Sequence, residues 1–184
     1  MPAHPADIVE FWRRAGPARW FKKDDAFDAT IRLKFEPTHH AAARGEYDAW
    51  THSADGALAL LILLDQFPRN LYRGSAHSWA TDPLARRIAT NAVARGHDKR
   101  VEPALRGFFY LPFEHAETLA DQDRSVALCE AMKAETGDEG NLKWAIQHRD
   151  IIARFGRFPH RNAALGRETT AEEQAFLDGG GFAG

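Results

Sequence analysis

The sequence has one cysteine, Cys129, and a single thiol excludes any internal disulfide framework. That usage suits a reducing compartment. Cys129 falls between Val126 and Met132 in a helical pattern and reads as a small buried apolar residue. An excess of positive charge is also missing. Lys and Arg number 24 against 26 Asp and Glu, so the chain lacks the field that non-specific nucleic-acid binding relies on. No apolar run is long. The longest, Ala57–Leu64, falls far short of the ~20 residues of a membrane span. Met1–Gly16 has no apolar stretch of signal-peptide length and carries His4, Asp7 and Glu10. No asparagine has a serine or threonine two positions later, so no glycosylation site occurs. A cytoplasmic protein is expected, with neither nucleic acid nor membrane as partner.

The familiar chemical motifs are absent as well. There is no P-loop, no H-E-x-x-H, no G-x-S-x-G and no paired C-x-x-C. Gly179-x-Gly181-x-x-Gly184 fits the dinucleotide fingerprint literally, but no strand precedes it and no helix follows. A lone Glu36-x-x-His39 is followed by Pro37 within the spacing, and a di-iron bundle needs two such pairs with further carboxylates. Neither a metal nor a cofactor is expected.

What is present is helical patterning. With 184 residues, 44% hydrophobic and 27% charged, the chain can bury one core unaided. No linker or charge block divides it, so residues 1–178 read as a single domain and 179–184 as a flexible glycine-rich tail. Asp24 or Asp25 caps a helix with Phe27, Ile31 and Phe35 on one side, and Pro37 starts another. Asp82 caps a helix with Pro83 at its first position and a stripe of Ala85, Ile88, Ala89, Ala92 and Val93. Thr170 and Glu173 form a capping box. Ala57–Leu64 is apolar on every side, as a helix surrounded by others would be. About seven to nine helices with little or no sheet are expected. Ala41–Tyr47 looks like the small-residue turn of a tetratricopeptide unit, though no 34-residue period continues from it.

Polar residues gather in three places. In the first, Asp65-Gln66-Phe67-Pro68-Arg69-Asn70, Pro68 ends the apolar helix and leaves Asp65 at the negative end of its dipole, with Arg69 and Arg73 as the nearest partners. The second runs from Phe108 to Glu117. There Glu114, Glu117 and Thr118 share a helical face beside His115, and two carboxylates with a histidine can act as acid and base or take a divalent metal. The third runs from His148 through Arg154, Gly156, Arg157, Phe158, Pro159, His160 and Arg161 to Asn162. Guanidinium forks suit a carboxylate or phosphate ligand, and equally an internal carboxylate such as Asp65, Glu114 or Glu117. The echo between Phe67-Pro68-Arg69-Asn70 and Phe158–Asn162 suggests equivalent corners of two helical hairpins lining one groove.

Together these motifs resemble a bacterial family catalogued as a domain of unknown function, number 924. The likeness rests on Asp65–Asn70, on Phe109-Tyr110-Leu111-Pro112 with Glu114-His115-Ala116-Glu117, and on Arg154–Asn162. Phe11-Trp12, Trp20-Phe21 and Leu165-Gly166-Arg167 extend it over nearly the whole chain. It implies an all-helical, compact right-handed helical-hairpin superhelix similar to the tetratricopeptide fold, and it implies no reaction. Three functional readings stay open. One is a module binding a small anionic ligand or an acidic peptide through Asp65, Arg69, Asn70, His148, Arg154, Arg157, His160, Arg161 and Asn162. Another is a hydrolase acting on an anionic substrate, using Glu114 or Glu117 as base with His115 or His160 as partner, with metal assistance through Glu114, His115 and Glu117 as a sub-case. In the last, all three motifs are structural corners.

Overall fold

The computed structural model describes residues 4–137 and 139–182. It is all-helical, with no strand among the described residues, and none of the described helices is long and apolar enough to cross a membrane. The chain divides into two compact units, residues 1–73 with 77–112, and residues 74–76 with 113–184. The expected tail, residues 179–184, lies partly outside the described residues, which end at Phe182.

In the first unit, α1 (Pro5–Ala15) and α6 (Asp82–Ala94) pack on α4 (Ala54–Leu61), α3 (Asp25–Ala43) packs on the segment that follows α4, and α2 (Pro17–Trp20) is a single turn after α1. The all-round apolar pattern of Ala57–Leu64 is explained, since each of these residues is buried. Trp12, Phe27, Phe35, Phe67 and Phe108 form the aromatic part of this core with Phe11, their rings stacked or edge-on at 5–6 Å. Asp24 caps α3 by accepting from the Ala26 and Phe27 N–H groups.

Two of the prolines expected at helix boundaries, Pro37 and Pro68, lie where helix continues. Pro37 sits within α3. Its absent N–H would have bonded the carbonyl of Leu33, a residue 84% exposed, so water can take the place of that donor. Pro68 does not end the apolar helix. The chain passes from α4 through a π-helical turn, Ile62–Gln66, into α5 (Phe67–Leu71), and Phe67 N–H bonds the Ile62 carbonyl. This shift frees the carbonyls of Leu63 and Leu64, and side chains from other elements take both. His39 Nδ1 donates to Leu63 O at 2.8 Å and the Thr81 hydroxyl to Leu64 O at 2.5 Å. Asp82 likewise does not cap α6. Thr81 holds that position, and the Asp82 carboxylate turns to Arg69.

The short helices α7 (Pro103–Arg106) and α8 (Leu111–Glu114) follow, the unit boundary falling within the latter. In the second unit α9 (Leu119–Thr136) packs on α10 (Gly140–Phe155), and α11 (Ala171–Asp178) starts at the expected capping box of Thr170 and Glu173. Cys129 is buried on α9. Glu117 does not share a helical face with Glu114, because the helix stops at Glu114 and Thr118 opens α9 as its N-cap.

Candidate functional site

The first motif lies wholly within the first unit and the third within the second. Their backbones differ. The first runs on as helix through Pro68, whereas α10 stops at Gly156, which takes the left-handed conformation (φ 69°) and bonds Ile152 O at 2.8 Å.

In the first unit the motif's charges are matched internally. Asp65 is fully buried, accepts from the Gln66 amide, and lies 3.5 Å from Arg69. Arg69 also bonds the Asp65 carbonyl and forks onto Asp82 at 3.0 and 3.2 Å. Burial works against its charge, but Asp65 and Asp82 outweigh it and raise its pKa. Asn70 donates to Asp28 at 2.7 Å, and Arg73, expected beside Asp65, forks onto Asp28 instead. A buried chain of Arg106, Tyr110 and Asp98 lies in the same unit, with bonds of 2.6 and 2.7 Å; burial pushes the Tyr110 phenol up, and the bond to Asp98 adds to the shift.

In the second unit the structure brings the acidic stretch and the third motif together. Glu117 accepts from Phe158 N–H at 2.8 Å and from the Arg167 fork at 2.6 and 3.0 Å. Burial would raise its pKa, yet Arg167, the Phe158 N–H and the nearby Arg161 charge bring it below the ordinary value. Arg167 continues to Asn162 Oδ1 at 2.9 Å, and Asn162 donates to Glu173 at 3.1 Å. Arg157 forks onto Glu173 at 2.6 and 2.8 Å. That guanidinium, aided by the Thr170 N–H and opposed by burial, holds Glu173 down to about 2. Arg161 donates to His115 O at 3.1 Å and lies over the Phe158 ring. Arg154 meets Glu172 at 2.9 Å on the surface. The third motif's loop is therefore a corner in which arginines clasp the chain's own carboxylates and carbonyls.

In the second unit His148 and His160 meet two phenylalanines, Phe158 and Phe182. His148 Nδ1 lies 2.9 Å from Trp144 O and 3.1 Å from the Glu114 carboxylate, so that nitrogen carries the proton. Its ring is edge-on to Phe158 and Phe182 at 5.5 and 4.5 Å. His160 is 5.2 Å from Phe182, and His115 is 6.4 Å from His148. Among the described residues no three His, Cys, Asp or Glu side chains are placed to hold a metal.

The second unit also carries an open groove of about 660 Å³ along α10, toward α11 and the chain segment that follows it. Trp144, Ile146, Phe155, Phe176 and Phe182 are among the residues lining it, with Lys143 and Arg154 the cations and Asp150 the acid. Trp144 and Ile146 are 49% and 41% exposed, large apolar surface on a helix whose buried residues are Ala145, His148, Ile151 and Ile152. Of the residues singled out in the sequence only Arg154 lines this groove. The others that line it, and the clasp residues Arg167 and Glu173, were not recognised as site residues. Trp144 lies one turn before the buried His148 on α10 and is itself half exposed.

No curated protein matches the chain. Among solved structures it is similar to a protein of unknown function from Agrobacterium tumefaciens, 53% identical, with a TM-score of 0.90 over 95% of this chain and 97% of that one. A family match spans residues 8–181, and the chain belongs to that family, described as bacterial protein of unknown function (DUF924).

Proposed function

We infer that the chain is a helical binding module whose ligand is an acidic peptide bearing an aromatic side chain, received in the α10 groove of the second unit. The observation that carries this reading is the pairing of apolar and cationic surface there, with Trp144 and Ile146 open to solvent between Lys143 and Arg154. The groove's two cations outnumber its one acid in a chain of net charge −2. The Arg154–Glu172 pair does not bar a ligand. Its side chains are 51% and 65% exposed, and such pairs contribute little, so a ligand carboxylate can compete for the guanidinium. The arginines of the motif corners support the reading by exclusion, since Arg69 and Arg157 already serve internal carboxylates. Glu117 makes a poor general base with its pKa lowered beneath Arg167, which weighs against a hydrolase built on that residue.

The test is fluorescence anisotropy with a fluorescein-labelled pentapeptide of one phenylalanine flanked by glutamates. A small interface of this kind gives a Kd of roughly 1–100 μM, weakening as salt screens the two cations. Lys143→Glu should weaken binding about tenfold at low salt and less at high salt. Binding that ignores both salt and Lys143→Glu would rule the reading out.

A further inference from the structure

Resting on that groove reading, we propose that Phe182 is a resident plug, and that the ligand's aromatic side chain takes the seat Phe182 now fills over His148 and His160.

The seat is built for a ring. Phe182 lies edge-on to His148 and His160 at 4.5 and 5.2 Å and packs on the apolar cluster of Ile151, Ile152 and Phe158. Two glycines place it there. Gly180 holds a left-handed φ of 79°, and a Cβ on Gly181 would come within 2.5 Å of the Phe176 carbonyl and 2.6 Å of its ring. The chain can therefore turn back over the end of α11 and lay Phe182 in the groove only with these residues. The hold is light. Gly180 and Gly181 N–H bond the Leu177 and Phe176 carbonyls, and the ring itself makes apolar and edge contacts. A segment with so few contacts among the described residues opens at the low-energy end of a protein's motions.

The seat also matches the ligand class. An aromatic ring entering over the two imidazoles would leave neighbouring carboxylates within the stretch of α10 that carries Lys143 and Arg154. Competition with Phe182 lowers the apparent affinity in proportion to the fraction of molecules with the seat empty.

The experiment titrates the same labelled pentapeptide, and a version with alanine in place of its phenylalanine, into wild type, Phe182→Ala and Gly181→Ala. Circular-dichroism melts confirm that each variant is folded. The two substitutions empty the seat by different routes, one deleting the ring and the other displacing it. Both should tighten binding of the phenylalanine peptide by about tenfold, the gain expected if roughly a tenth of wild-type molecules are open. Neither should tighten the alanine peptide. If wild type and both variants bind the phenylalanine peptide equally, or the variants bind it more weakly, the plug is overturned while the groove reading stands. If no form binds it, the groove reading itself fails and the plug with it.

Discussion

Glu173 accepts hydrogen bonds from Arg157, Asn162 and the Thr170 N–H, joining the third motif to the start of α11. Its carboxyl titrates near 2 in the folded chain against an ordinary 4.5, and the sign follows. The stabilisation is whole above pH 4.5 and is lost as the pH falls toward 2, because the unfolded chain binds the proton first. Glu173→Gln should lower stability at pH 7 and flatten its loss between pH 4.5 and 2, as read from urea melts across that window. An unchanged acid slope would contradict the assignment. His39 acts on the same side at higher pH. Burial lowers its pKa below 6.5, so folding favours the neutral ring and stability declines once the pH drops beneath that value. Little of this was legible in the sequence. Thr170 and Glu173 stand out as a capping box because the box is local, whereas the claim of Arg157 on Glu173, and of Arg167 on Glu117 fifty residues away, depends on tertiary folding.

The same division between local and distant causes governs the elements. The Asp24 cap and the buried Ala57–Leu64 segment follow from their own residues. Pro68 does not behave as its local chemistry suggests, since His39 and Thr81, drawn from other helices, take the carbonyls that its missing N–H and the π turn leave open. Helix thus continues where a proline would otherwise stop it. Thr81→Val keeps the shape and removes the donor, so Leu64 O is left without its bond at a cost of about 1–2 kcal/mol. For a chain of this length that is a drop in Tm of roughly 2–8 °C. A Tm unchanged by the substitution would show that water meets the carbonyl equally well and that the threonine is not what sustains the turn. In α10, Ala145, His148, Ile151 and Ile152 are buried while Trp144 is half exposed. Periodicity reports which residues share a face and not where the neighbouring helix ends, so the groove was invisible to it.

At the scale of the molecule, the polar motifs and the open surface have separate duties. The motifs stand out by sequence because they combine prolines, aromatics and arginines in short spans, and each unit uses its own set to fix chain direction with internal ion pairs. The all-helical class was legible, because caps and periodicity are local. The site was not, because an arginine facing an internal carboxylate and one facing a ligand have the same sequence signature. The measurement that separates the two duties is a titration of the phenylalanine pentapeptide into Arg157→Ala and Trp144→Ala, each with its melting temperature recorded. Arg157→Ala should melt lower and bind as wild type does, while Trp144→Ala should melt as wild type does and lose binding. Loss of binding in an Arg157→Ala protein of unchanged Tm would place the ligand at the motif corner and not in the α10 groove.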